Sequence, residues 1–124
     1  MARVNSHEDL EVWQVAMSLA EDCYNLSALF PADERFGLTS QLRRSAVSVP
    51  SNIAEGFGRG QTPSFLQYLR IAQGSLREVE TQIELALRLR FVPAENAIKS
   101  RETATRVSKM LLALIRSLEA KTPV

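Results

Sequence analysis

Between Phe65 and Ala86 the apolar residues Phe65, Leu69, Ala72, Leu76, Val79, Ile83 and Ala86 are separated by alternating steps of 4 and 3. A mean step of about 3.5 residues keeps all seven on one face of an α-helix, whereas a strand would scatter them over both faces. Thr62-Pro63 stands where such a helix should begin, a capping hydroxyl followed by a proline whose missing N–H costs nothing there. The spacing therefore predicts a long helix over 63–90 with a heptad-like seam. A seam of that length is stable only against other helices that present matching stripes.

The rest of the chain supplies them. A helix is expected over 8–29, with Ser6 placed to cap it and Glu8, Asp9 and Glu11 set favourably against the helix dipole. It carries two stripes, Leu10, Trp13, Met17, Ala20 and Tyr24, and Val12, Ala16, Leu19, Cys23 and Leu26. Together they span an arc of roughly 200°, wider than one packing face needs. Phe30-Pro31 ends it. A second helix is expected over 38–55, with Leu38, Leu42, Ala46, Val49, Ile53 and Phe57 inward and Ser40, Arg44, Ser48, Ser51 and Glu55 outward. Pro50 removes the hydrogen bond to the Ala46 carbonyl and should bend this helix, with Ser48, Ser51 and Asn52 near the freed groups. Gly56 or Gly58 is the natural left-handed stop. Val92-Pro93 breaks the third helix and starts a fourth over 94–120, along Ala97, Ala104, Val107, Leu111, Leu114 and Leu118. No strand-like alternation occurs. The expectation is all-α, an up-down four-helix bundle in one domain over 1–124.

Several function classes are disfavoured. No apolar run approaches the roughly 18 residues of a membrane span, and the N-terminus has no signal-peptide core, so no membrane partner is expected. The single cysteine, Cys23, has no internal partner, which fits a reducing cytoplasm. The glycines of EGFGRGQTP follow no strand and match no phosphate-loop pattern, so a flexible interhelical linker is the better reading. One histidine and one cysteine give no zinc-ligand spacing. Glu80 and Glu84 lie one turn apart on a helix surface without the cleft that acid–base work needs, and Glu84 is placed to pair with Arg88. No enzyme activity and no cofactor or metal is expected. Trp13, Tyr24 and Cys23 are read as core residues.

Charge is the informative remainder. The net charge is +1, but residues 1–34 sum to −6 and residues 35–77, with six arginines against Glu55 alone, sum to +5. Arg43 and Arg44 head the candidates for a phosphate-binding surface, joined by Arg59, Arg70 and Arg77, with Arg35 adding charge nearby. These same arginines are equally placed to pair with the acids of helix 1, within or between subunits.

The stretches DLEVWQVAMSLAED, ERFGLTSQLRRSAVSVPSNIAEGFGR and FLQYLRIAQGSLREVETQIELAL resemble the four-helix-bundle family named for the protein encoded in intervening sequences of bacterial large-subunit rRNA genes. The likeness covers about residues 9–89 and is most specific from Gly37 to Gly56. The family name records gene location and not a ribosomal association. Members commonly have Leu-Gly-Tyr at the third turn, where this chain has Leu89-Arg90-Phe91. The resemblance implies a homo-oligomeric ring, commonly a pentamer. It extends to the accessory proteins of diversity-generating retroelements, which partner a reverse transcriptase and nucleic acid. The expected function is thus a non-enzymatic, ring-forming accessory protein that binds RNA or DNA, alone or with a nucleic-acid-processing protein. The alternative is an oligomeric scaffold that docks a protein partner. Independently of the family, Met110, Leu111, Leu112, Leu114, Ile115 and Leu118 cover roughly 200° of helix 4, so Met110, Leu112 and Ile115 are expected at a subunit interface. Small residues Ser48, Ser51 and Ala54, and Ala72, Gly74 and Ser75, mark two thin regions expected to meet each other or a neighbouring subunit. Gly74→Leu should then overpack.

Overall fold

The computed structural model describes residues 4–121, so the outermost residues of the expected 1–124 domain, Arg3 among them, lie outside it. Four helices carry the fold: α1 (Glu11–Ser27), α2 (Leu38–Gly58), α3 (Thr62–Arg88) and α4 (Ile98–Ala120). Short 3-10 turns at His7–Asp9, Ala32–Glu34 and Ala94–Ala97 precede α1, α2 and α4, and no strand occurs among the described residues. Each helix packs on two others, α1 against α2 and α4, and α3 against the same pair. Cross-helix contacts run in opposite chain directions. Ser48 meets Ser75 and Glu55 meets Tyr68, while Arg70 meets Glu119 and Glu84 meets Arg101. Neighbouring helices are therefore antiparallel, as short connections require.

The inward stripes meet in one core. Leu19, Leu42, Ile53, Leu69, Leu76, Ile83 and Leu111 lose essentially all solvent contact. The heptad residues of α3 are all buried except Phe65, which packs at the edge against Phe57 with ring centroids 5.9 Å apart. In α1 the second stripe is core, whereas Met17 and Tyr24 of the first stripe stay exposed. Tyr24 therefore corrects its assignment to the core. Trp13 is half-buried, with His7 edge-on to its indole at 5.0 Å.

The ends differ from expectation for local reasons. Ser6 caps the 3-10 turn rather than α1, in a reciprocal box with Asp9, because Leu10 is extended and separates the two. The α2 helix runs unbroken through Pro50 and through Gly56 to Gly58, so the glycine-rich stretch is mostly helix. The Asn52 amide donates to the Ser48 carbonyl at 2.8 Å and to its hydroxyl at 2.9 Å, one turn from the proline. The left-handed stop falls at Gly60 (φ 74°), beyond both expected glycines. Gly56 has a different role. A Cβ there would lie 2.6 Å from Tyr68 Cβ and 3.3 Å from the Phe65 carbonyl oxygen, so its hydrogen lets α2 and α3 approach. Gln61 and not Thr62 is the residue before α3, and Pro63 sits in its first turn.

At the far end of α3 the chain closes a Schellman turn. The Phe91 N–H donates to the Ala86 carbonyl at 2.9 Å and the Arg90 N–H to the Leu87 carbonyl at 3.1 Å. Arg90 takes the left-handed position with φ 62°, so an arginine stands where the fold favours glycine.

Candidate functional site

The segment between α1 and α2 places an unusual side chain on the surface. Phe36 follows the Ala32–Glu34 turn and is 87% exposed, the most exposed large apolar residue described. The guanidinium of Arg35 lies 5.2 Å from its ring centre. One turn into α2, Arg43 lies over the Tyr24 ring at 4.6 Å. Arg43 Nε donates to Ser27 Oγ at 2.8 Å, which fixes this guanidinium against α1. Tyr24 remains 44% exposed beneath it. Arg44 points outward and has no ion pair or side-chain hydrogen bond among the described residues. Arg35, Arg43 and Arg44 line one open groove of about 550 Å³ between α1 and α2, together with Tyr24, Phe36 and Val47. The α2 N-terminus beside it is already occupied, since Glu34 Oε1 accepts from the Leu38 N–H at 2.9 Å.

The other three candidate arginines do not join this groove. Arg59 pairs with Glu55 at 3.0 Å and donates to the Tyr68 hydroxyl at 2.7 Å. Fifteen residues of helix, about 22 Å, separate it from Arg44. The Glu55 hydrogen bond is the main reason that the Arg59 pKa is raised. Arg70 pairs with Glu119 of α4, and Arg77 with Glu80 at 2.6 Å and Ser108 at 2.9 Å. The expected five-arginine surface therefore divides into a clustered pair, Arg43 and Arg44, and three separately neutralised residues. Nor do the acids of α1 neutralise any of them within the subunit. Glu11 pairs with Arg106, and the buried Asp22 accepts from Thr103 at 3.0 Å and lies 3.4 Å from Lys99, all on α4. Reading the sequence left out Phe36 and Tyr24 as surface groups. The signal available was Phe36 itself, a large aromatic outside every helical stripe.

Other features offer less chemistry. A crevice of about 270 Å³ between α3 and α4 is walled by Glu80 and Arg101, both engaged in ion pairs. Glu84, the ion-pair partner of Arg101, has its pKa lowered, first by the hydrogen bond from Arg88 and also by Arg101. Cys23 is buried, and burial pushes its thiol pKa up to about 12, the opposite of a reactive thiolate. No group of three or more His, Cys, Asp or Glu side chains is placed to hold a metal among the described residues. No described helix is long and apolar enough to cross a membrane. Of the three expected interface residues, Leu112 is 39% exposed and Met110 is half-buried. Ile115, at 4% exposure, belongs to the subunit's own core and corrects that expectation, because its side chain is spent on intrasubunit packing.

Comparison with known proteins adds a family. The family model described as 23S rRNA-intervening sequence protein matches residues 8–113. A crystal structure of a protein with unknown function from the S23 ribosomal protein family of Bacteroides thetaiotaomicron VPI-5482 superposes with a TM-score of 0.77 at 25% identity. The superposition covers 84% of this chain and 97% of that one. No curated protein matches the chain significantly.

Proposed function

The chain belongs to the 23S rRNA-intervening sequence protein family, and from that premise we propose that it is a non-enzymatic, ring-forming four-helix-bundle protein that binds single-stranded nucleic acid in the α1–α2 groove. The carrying observation is that Arg35, Arg43 and the unpaired Arg44 line one groove together with the exposed rings of Phe36 and Tyr24. Guanidinium groups neutralise phosphates, and exposed rings give bases a surface to stack on. Arg43 is held in place by Ser27, so it presents its charge with less rotamer entropy to lose. Arg59, Arg70 and Arg77 serve as secondary contacts, since their solvent-screened, half-exposed ion pairs contribute little and yield to a phosphate. The resemblance to accessory proteins of diversity-generating retroelements makes a nucleic-acid-processing protein a fitting partner, in the cytoplasm.

Fluorescence anisotropy with single-stranded RNA and DNA over a salt series tests this reading. Three phosphate contacts give a slope of log K against log salt near −2, and Arg44→Ala brings it about 0.7 closer to zero. Phe36→Ala should weaken binding by about 1–3 kcal/mol without altering the slope. Absence of binding by the intact protein at low salt overturns the proposal. The scaffold reading then takes its place, favoured by the same exposed Phe36 and Val47 as an apolar contact for a protein.

A further inference from the structure

Phe36 and Arg44 border a second cleft on the other side of α2. It has a volume of about 390 Å³, lies between α2 and α3, and is completed by Ser40, Gln41, Ser45, Glu78 and Gln82. Its polar groups are uncommitted. Seven ion pairs form elsewhere on the molecule, yet Arg44 and Glu78, which wall the same cleft, make none among the described residues. Gln82 carries the one buried side-chain oxygen without a hydrogen-bond partner among the described residues, its Oε1. That oxygen is closed to solvent, so the accessible acid in the cleft is the exposed Glu78 carboxylate.

We infer that this cleft receives a guanine base from the strand bound in the adjacent groove. The inference rests on the nucleic-acid reading of that groove, because Arg44 and Phe36 line both. The chemistry of the walls selects the base. A carboxylate accepts two adjacent N–H groups side by side, and among the four bases only the guanine Watson–Crick edge offers two from neighbouring atoms, N1–H and N2–H. Arg44 donates to the guanine O6 or N7, the commonest arginine–base contact. Phe36, at the mouth, stacks on the purine face. Adenine brings an acceptor, N1, to the carboxylate, and uracil offers it a single N–H. Cytosine offers two N–H groups on one nitrogen and a smaller face for Phe36.

The test is competition by sequence at fixed low salt. The intact protein is titrated with uridine-tract oligonucleotides that carry a single central G, A, C or inosine. The G-containing strand should bind on the order of tenfold more tightly than the A-containing one. Inosine, which lacks the exocyclic amine, should lose most of that advantage. Glu78→Gln should erase the preference for G while the affinity for the uridine-only strand does not fall, since an exposed acid has been removed from beside a basic groove. A cytosine preference, equal affinity for all four strands, or a guanine preference that survives Glu78→Gln overturns the inference and leaves the groove reading standing. Failure to bind any strand overturns the groove reading itself.

Discussion

Arg90 occupies a backbone region that disfavours every side chain with a Cβ, and it does so because the Schellman turn after α3 needs a left-handed residue. Arg90→Gly should relieve that strain and stabilise the protein by about 0.5–1 kcal/mol, read as a rise of a few degrees in Tm. The difference from Leu-Gly-Tyr was legible in the sequence, but its outcome was not. Either the turn or the residue had to give, and the two turn hydrogen bonds outweighed the cost of the angle. Gly56 is the reverse case. Its sequence context reads as a helix stop, yet the tertiary approach of Tyr68 Cβ determines its role. Gly56→Ala should destabilise by about 1–3 kcal/mol, because the obstacles are a Cβ and a backbone carbonyl rather than the tip of a flexible side chain. Cys23 gives a chemical readout. With its thiol pKa raised to about 12 by burial, it should resist a thiol reagent in the native protein and react at once on unfolding. The folded state holds this proton more tightly than the unfolded chain does. The stability tied to Cys23 is therefore complete below about pH 9 and is lost progressively as pH rises toward 12.

At the scale of elements, hydrophobic spacing located the four helices well, and the departures occur where polar or backbone groups outweighed it. The stripe Leu38, Leu42, Ala46, Val49 and Ile53 is buried as its spacing requires. Spacing says nothing about which of two stripes wins when a helix has both. In α1 the stripe with Val12, Ala16, Leu19, Cys23 and Leu26 took the core, and the other was left to flank a surface groove at Tyr24. Nor does spacing reveal that Arg43 would use its guanidinium on a ring and a serine of α1 instead of an acid. The small residues of α2 and α3 do meet, through the 2.7 Å hydrogen bond between the Ser48 and Ser75 hydroxyls. Ser48→Ala leaves the buried Ser75 hydroxyl without its partner and should cost about 1 kcal/mol, whereas Ser75→Ala should cost less, because the Ser48 hydroxyl still accepts from the Asn52 amide. The double replacement should cost less than the two single losses combined, since neither hydroxyl is then orphaned. A double-mutant cycle by urea denaturation measures the difference, and strict additivity would show that the bond contributes nothing.

At the scale of the whole molecule, the candidate site was half legible. The basic middle of the chain is plain in the sequence, but which arginines share a surface depends on how α2, α3 and α4 face one another. That geometry gave Arg70 to Glu119 and brought Arg77 to Ser108, whereas Arg59–Glu55 and Arg77–Glu80 are one-turn pairs set by local spacing. Assembly raises the same question one level up. One subunit leaves Met17, Ile71, Leu85, Leu89 and Leu112 exposed on three different helices or their ends. An unlike pair of surfaces, used head to tail, closes into a ring when the rotation permits. Gly74 is the probe that separates fold from assembly. It is exposed, with open space where a Cβ would stand, so the overpacking expected of Gly74→Leu does not occur inside the subunit. Replacing a helical glycine there should leave the subunit as stable or up to about 1 kcal/mol more so. We propose a ring of about five subunits, a number that rests on the family resemblance alone, and sedimentation of the intact protein at micromolar concentration should then read near five times the 13.8 kDa subunit mass. If Gly74→Leu lowers that mass with Tm unchanged, the face of α3 carrying Ile71 and Gly74 is a subunit contact. If the mass holds and Leu112→Asp lowers it instead, α4 carries the contact. A 13.8 kDa monomer rules out assembly, and a dimer rules out the ring, because a two-fold contact uses its surface on itself and leaves nothing for a third subunit to bind.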